Sequence, residues 1–227
     1  MADFKLAYAI TARHEGGYAN SPHDTGGETM LGVSRNNFAN WEGWEIVDAL
    51  KRQPGFPGTA NSNAALKTLA AAFYKGTFWD VFRLDTVKHQ GIANELFDTA
   101  VNMGVSRAAQ FLQRAINVTN NRGQYTVDIQ QDGKVGPATI NALNKHAYPE
   151  MVLKVLNVLQ GEFYVRLAER NPTQEIFMRS WLSRVSLALV GLVLCASCTV
   201  YPPTQAGTIS KKGMPTVRDQ HPEKRHF

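Results

Sequence analysis

An α+β protein, mainly α-helical with a small β-rich lobe near the N-terminus, is the fold class this sequence predicts. Two observations predict it. Residues 16–35 are punctuated by Gly16, Gly17, Gly26, Gly27 and Gly32, with Pro22 and Asp24 between short polar stretches, a pattern of turns and a small irregular sheet. From residue 64 to residue 184, apolar residues recur at helical spacing.

Before the lobe, residues 3–15 read as a short helix. Phe4, Tyr8, Thr11 and Glu15 share one face, and Leu6 and Ile10 form a second apolar strip, so the helix is expected to be well buried. Gly16-Gly17 ends it, because glycine takes the left-handed cap conformation readily. Residues 41–60 read as a loop-rich connection with a turn cluster at Pro54-Gly55-Phe56-Pro57-Gly58. Helices are then expected over 64–74, 92–103, from a cap at Ser106, from Pro137 in a first turn, over 150–170, and over about 173–184. Val185 to Tyr201 is a run of 17 residues without a charge, at the short end of what spans a bilayer. Residues 202–227 are rich in Pro, Lys, Arg and His and are expected to be disordered.

Of the 227 residues, 44% are hydrophobic and 19% charged, which fits a globular chain long enough for one sizeable core or two small ones. The net charge of +5 attracts polyanions: bacterial walls, nucleic acid or anionic lipid. Nucleic acid is disfavoured because the body carries no Lys/Arg cluster interleaved with aromatics. Cys195 and Cys198 lie together in the apolar run, so no disulfide framework is expected in the body. The start, Met1-Ala2-Asp3-Phe4-Lys5, has none of the features of a secretion signal, so a wall-directed protein would need another way out of the cytoplasm.

The chemistry concentrates in Glu15-Gly16-Gly17-Tyr18, followed by Asp24-Thr25-Gly26-Gly27-Glu28-Thr29-Met30-Leu31-Gly32-Val33. Cleaving a glycosidic bond usually takes two carboxyl groups in unlike environments, one protonated and one ionised. Glu15, at the end of an apolar helix, suits the acid, because partial burial raises a carboxyl pKa. Asp24, in a glycine-rich loop, suits the ionised partner, and the Thr29 hydroxyl suits holding a water. Tight glycines let a sugar chain approach the backbone. Each feature alone is ordinary: a glutamate before Gly-Gly is often a solvated helix end, and Asp-x-Gly-Gly is often a turn. Their conjunction is what points to catalysis.

That conjunction resembles the signature of glycoside hydrolase family 108, lysozyme-like N-acetylmuramidases, many from phages and prophages. The spacing of Glu15, Asp24 and Thr29 is also similar to the Glu/Asp/Thr set of phage-type lysozymes, one residue shorter in the second gap. The resemblance implies a lysozyme-like fold, Glu15 as general acid, no metal or organic cofactor, and peptidoglycan glycan strands as the partner of a monomeric enzyme. Tyr74-Lys75-Gly76-Thr77-Phe78-Trp79-Asp80 resembles the aromatic segment closing the catalytic domain; Tyr74 and Trp79 either stack on sugar rings or fill the core. Asp98 to Gly104 and Asp132 to Thr139 resemble the peptidoglycan-binding region that follows. Asp98 and Asn102, i and i+4 on one helix face, either line the far wall of a saccharide cleft or are surface polars. Trp181-Leu182-Ser183-Arg184-Val185 resembles the family's last motif, so the likeness covers about residues 3–185. The implied organisation is a glycosidase region (1–91), a helical peptidoglycan-binding region (92–185) and an apolar segment with a basic tail (186–227).

Other chemistries fit poorly. Asp128 to Gly133 opens like a calcium loop, but Gln130 is a poor ligand and position twelve is Thr139 instead of glutamate. The histidines have no zinc spacing, and no Gly-x-Ser-x-Gly elbow exists. Past Val185 the chain departs from the family. A basic start from Met178, the apolar run and small residues before Cys198 resemble a bacterial lipoprotein signal, and the Pro-containing tail resembles the small spanin lipoproteins of phage lysis cassettes. Residues 185–201 are then a weak membrane contact, a helix packed on the body, or a reading-frame accident. The resemblance implies an enzyme that accumulates in a host cytoplasm and reaches the wall in the periplasm when a separate pore opens. Two rival readings stay open: a lytic transglycosylase needing only one glutamate, and a non-enzymatic wall-binding, membrane-tethered lysis protein.

Overall fold

Asp3 starts the fold by capping its first helix: its carboxylate accepts from the Lys5 amide at 2.7 Å and satisfies one of the free donors of α1 (Phe4–Thr11). The same turn is tied to a distant element. Ala2 donates to the Val87 carbonyl, and the Gln90 side chain accepts from Asp3 N and donates to Asp3 O. The structure, a computed structural model, describes residues 1–12, 16–20 and 27–185. The sequence readings of Glu15, Asp24, the cysteines and the tail from 186 onward fall outside those residues.

The lobe is a three-stranded antiparallel sheet, β1 (Tyr18–Asn20), β2 (Glu28–Met30) and β3 (Val33–Ser34), in sequential order. Ala19 pairs with Thr29, and Met30 with Val33. Met30 and Val33 are fully buried, so their face of the sheet packs inward.

The connection over 41–60 contains more helix than expected: α2 (Gly43–Leu50) and the short α3 (Gly58–Ser62). Trp44, Val47 and Leu50 repeat every three residues, and Trp44 and Val47 are buried, so a helical stripe was present beneath the Pro/Gly cluster. The expectation for α1 is also corrected. Its Phe4–Tyr8–Thr11 face packs inward, but Leu6 and Ile10 are 56% and 46% exposed, because an eight-residue helix against one neighbouring layer buries a single stripe.

The remaining helices are α4 (Ala64–Tyr74), α5 (Gln90–Met103), α6 (Val105–Thr119), α7 (Pro137–Lys145), α8 (Pro149–Arg170) and α9 (Met178–Leu182). A π-helical turn, Lys75–Trp79, continues α4, and a 3-10 turn, Pro172–Phe177, precedes α9. Ser106 does not cap α6. Gly104, at φ 88°, makes the break between α5 and α6 in a single residue, which leaves Ser106 inside the helix. Pro137 does occupy the first turn of α7.

Helix α5 packs against α1, α6 and α8, and the described residues belong to one compact unit. The expected boundary at residue 91/92 therefore falls within the element that both regions share. Asp98 on α5 accepts from Gln160 of α8 at 3.2 Å, from Thr11 of α1 at 3.5 Å, and from the Arg184 guanidinium at 3.0 Å. Asp98 and Arg184 are both buried, so this ion pair fastens the end of the described chain to the central helix. Trp181 stacks on Tyr164 of α8 beside it, with ring centroids 5.1 Å apart. Among the described residues no helix is long and apolar enough to cross a membrane.

Truncating Arg184 to alanine strands the Asp98 carboxylate in the interior. Removing one member of a buried pair costs about 3–5 kcal/mol, so Arg184→Ala should lower the denaturant midpoint at unchanged slope; a loss below about 0.5 kcal/mol, the size of an exposed pair, would show that the clamp carries no weight.

Candidate active site

The glycine-rich motif folds as a tight hairpin for a local reason. Between Met30 and Val33 only Leu31 and Gly32 intervene, and both have positive φ (50° and 78°), as a two-residue turn matched to strand twist requires. Gly32 adopts this freely, whereas Leu31 pays a steric cost. The turn is held from two sides. Leu31 N donates to the Gly17 carbonyl at 3.3 Å, and the buried Tyr74 phenol donates to the Leu31 carbonyl at 3.2 Å. Gly17 itself has no room for a side chain, since an added Cβ would lie 2.5 Å from the Asn61 Oδ1 that accepts from Tyr18 N.

This turn forms one wall of a cavity of ≈ 250 Å³. Gly32 and Ser34 face Val101 and Asn102 near the end of α5, with Phe73 and Phe78 between them. Asn102 is exposed and its amide donates to the Asp98 carbonyl one turn back, at 2.8 Å, which orients the side chain at the cavity. Thr29 lies on β2, on the opposite face from buried Met30, and its hydroxyl reaches Ala19 O at 3.5 Å.

The other sequence-expected residues have different surroundings. Trp79 is fully buried, with Phe4 and Phe97 edge-on to it at 5.6 and 6.0 Å and its indole N–H on Asp85 at 2.8 Å, so no ring face is open to a sugar. Tyr74 is buried too, but it lines the same cavity and supports the turn through its hydroxyl. Asp98 belongs to the interior clamp, one helical turn below Asn102.

Two charge clusters were not read from the sequence. Glu28, half-buried at the start of β2, is flanked by Arg35 at 2.9 Å and by Lys51; Arg35 also grips Asp48 with two hydrogen bonds, at 2.7 and 3.1 Å, and lies over the Trp44 ring. The Arg35 guanidinium holds the Asp48 carboxyl below its ordinary value. Burial, then the neighbouring Glu28 carboxylate, raises the Tyr18 phenol. This network pins the base of the hairpin to α2, and its only sequence signal was a glutamate inside the glycine motif. The second cluster is in the helical interior. Glu95, one turn before Asp98 and Thr99, is pushed up to about 8 by burial and then by the Asp98 carboxylate, with the Thr99 hydroxyl acting in the opposite sense.

A helical body carrying a three-stranded hairpin lobe beside a cavity is the architecture of a lysozyme-like glycoside hydrolase. Residues 8–104 match the family model described as Glycosyl hydrolase 108, and residues 107–186 match a Predicted Peptidoglycan domain. Residues 8–104 are thus a glycosyl hydrolase 108 region, and a peptidoglycan-binding region follows it. Among solved structures, that of Brucella abortus SagA is similar in fold, with a TM-score of 0.55 and 23% identity over 81% of this chain and 89% of that one. No curated protein matches the chain. The enzyme is thus a lysozyme-like hydrolase that acts on peptidoglycan of the cell wall.

Removing the Tyr74 hydroxyl should loosen the strained turn. Tyr74→Phe is expected to lose about 0.5–1.5 kcal/mol of stability, the worth of one hydrogen bond, together with a larger proportional loss of wall-degrading activity; retained activity would mean that the turn keeps its shape unaided. Glu95 makes a separate prediction about pH. Its folded pKa lies above the unfolded value, so the folded state binds the extra proton. The stabilisation is complete below about pH 4.5 and is lost as pH rises to about 8. Thermal unfolding across that window should show Glu95→Gln falling less steeply than wild type and surpassing it at the alkaline end; parallel curves would mean that Glu95 is already ionised at neutral pH.

Proposed function

We propose that this enzyme is an N-acetylmuramidase that hydrolyses the β-1,4 bond between N-acetylmuramic acid and N-acetylglucosamine. In this reading Glu15 protonates the leaving oxygen. Asp24 stays ionised and, with the Thr29 hydroxyl, positions a water on the opposite face of the sugar, which gives inversion of configuration. Asn102 contacts the saccharide from α5. Tyr74, Trp79 and Asp98 act through the walls of the cleft, as supports instead of sugar contacts.

The observation that carries this reading is the pairing of β1 with β2. The strand pair begins three residues after Glu15 in the chain, encloses Asp24 in its connection, and presents Thr29 on the face away from the core. The adjoining cavity, between the hairpin turn and Asn102, supports a polymeric ligand running past that pair. The glycan strand is the component of the wall with the right bond. The setting that goes with this reading is phage lysis: a monomer that collects in the host cytoplasm and meets the wall after a pore opens.

Turbidity of purified sacculi should fall with wild type and hold nearly constant with Glu15→Gln, a loss of at least about a hundredfold for removal of a general acid. Thr29→Ala should retain part of the rate. Reducing ends on the products identify hydrolysis. Anhydro ends instead would convert the reading to a transglycosylase, and full activity in Glu15→Gln would remove Glu15 from its role.

A further inference from the structure

The hydrolase region and the peptidoglycan-binding region meet on one carboxylate. Asp98 lies on α5, inside the first region, and Arg184 lies near the end of the second. Their side chains are only 12% and 8% exposed. The two oxygens of Asp98 have different partners. Oδ1 accepts from the Arg184 guanidinium at 3.0 Å and from the Thr11 hydroxyl at 3.5 Å, while Oδ2 accepts from the Gln160 amide at 3.2 Å. The charge-assisted bond is the stronger of the two on Oδ1, so Arg184 orients the oxygen that Thr11 uses.

Thr11 is the last residue of α1 and is buried, and Glu15 follows it four residues later in the chain. The start of α1 is tied separately, by Ala2 on the Val87 carbonyl and by Asp3 on Gln90. Its middle packs through Tyr8 on Tyr74. The bond to Asp98 holds the remaining end, the one that leads to Glu15. Asn102, at the cavity, meanwhile donates to the Asp98 carbonyl. One residue of α5 thus holds the end of α1 by its side chain and a cleft side chain by its backbone.

Attachment of the second region does not explain this pair. That region is joined to the first by other bonds. Asn144 donates to the Thr86 carbonyl at 2.8 Å and accepts from Lys88 N at 3.0 Å, Glu150 meets His89 at 2.7 Å, and Gln160 reaches Thr99 at 3.2 Å. Well-packed hydrocarbon would also join two regions with less desolvation than a buried ion pair requires. What Arg184 adds to these bonds is a fixed direction for Asp98 Oδ1, and with it a fixed place for Thr11.

We propose that Arg184 is a positioning residue of the catalytic centre: through Asp98 Oδ1 and Thr11 it fixes the end of α1 that leads to the catalytic acid, so that the peptidoglycan-binding region completes the hydrolase as well as serving the wall. The proposal rests on the muramidase reading, in which Glu15 is that acid. A general acid acts only within hydrogen-bond reach of the oxygen it protonates, and a displacement of about 1 Å costs on the order of a hundredfold in rate.

The test uses the full chain and soluble, peptide-free glycan oligomers, on which wall retention plays no part. kcat and KM are measured for Arg184→Ala, Arg184→Lys, Thr11→Val and the double variant Thr11→Val/Arg184→Ala, each checked for folding at the assay temperature by circular dichroism. Sedimentation with sacculi, in a Glu15→Gln background, measures wall binding. The expected result is a kcat about tenfold lower or more in Arg184→Ala and in Thr11→Val, with KM and sacculus binding within about twofold of wild type. Arg184→Lys, which keeps a charged donor, recovers most of kcat. The double variant is no worse than the more severe single one, because both act through one oxygen. Wild-type kcat in a folded Arg184→Ala, a loss confined to KM or sacculus binding, or additive losses in the double variant overturns the proposal. Should Arg184→Ala fail to fold, Thr11→Val decides, and wild-type kcat there overturns it. Glu15→Gln on the same oligomers separates the two ideas. A dead Glu15→Gln beside an unaffected Arg184→Ala sinks the coupling alone. Full activity in Glu15→Gln, with kcat still lost in Arg184→Ala, sinks the assignment of Glu15 and leaves the coupling in place.

Discussion

Tyr74 stands at the junction of every element that shapes the cleft. Its ring meets Tyr8 of α1 at 5.6 Å, Phe78 of the π-helical turn at 5.8 Å and Phe97 of α5 at 6.5 Å, and its hydroxyl reaches across to the Leu31 carbonyl. Aromatic contacts of this kind bury large areas with fixed geometry. The single hydrogen bond at the end of the ring converts that packing into a position for a backbone turn that would otherwise be strained. Remove the ring and the hairpin has no fixed distance from α5, so the cavity between Gly32 and Asn102 has no defined width.

The interior of the helical body follows a different logic. Asp98, Glu95, Thr99, Gln160 and Arg184 form a polar knot among the helices, where hydrocarbon would pack with less desolvation cost. What the knot supplies is register. Asp98 has acceptors enough for α1, α8 and Arg184 at once, and it accepts from all three. Asn102, one turn further along α5, leans on the Asp98 carbonyl, so the same stretch of helix that organises the interior also presents a side chain to the cleft.

The hairpin is anchored at its base as firmly as at its turn. Arg35 bridges Glu28 of β2 and Asp48 of α2 while lying over Trp44, so the sheet and the helix after it move as one piece. That helix holds Trp41 and Trp44 in edge-on contact, which links Trp41 to the strands that carry Thr29. The site is thus framed by packing on one side and by ion pairs on the other, with Gly17 against the Asn61 amide, Gly43 against the Trp41 ring and Gly32 where φ turns positive.

Much of this was legible before any coordinates. Helical periodicity located α4 to α8 within a few residues, glycine punctuation located the sheet, and the motif resemblance pointed to a peptidoglycan hydrolase, because these signals are local. Depth was not legible. Asp98 and Asn102 share a helix face, yet one is ion-paired in the interior and the other lines the cavity, since α5 runs from the core to the edge of the cleft. Tyr74 and Trp79 are both buried aromatics of one segment, yet Tyr74 lines the cavity beside Phe73 while Trp79 is sealed in the core, because rotation about the helix axis sends successive side chains to different layers. Spacing tells which residues share a face, and only the packing of several elements decides whether that face meets another helix, a sheet or open space.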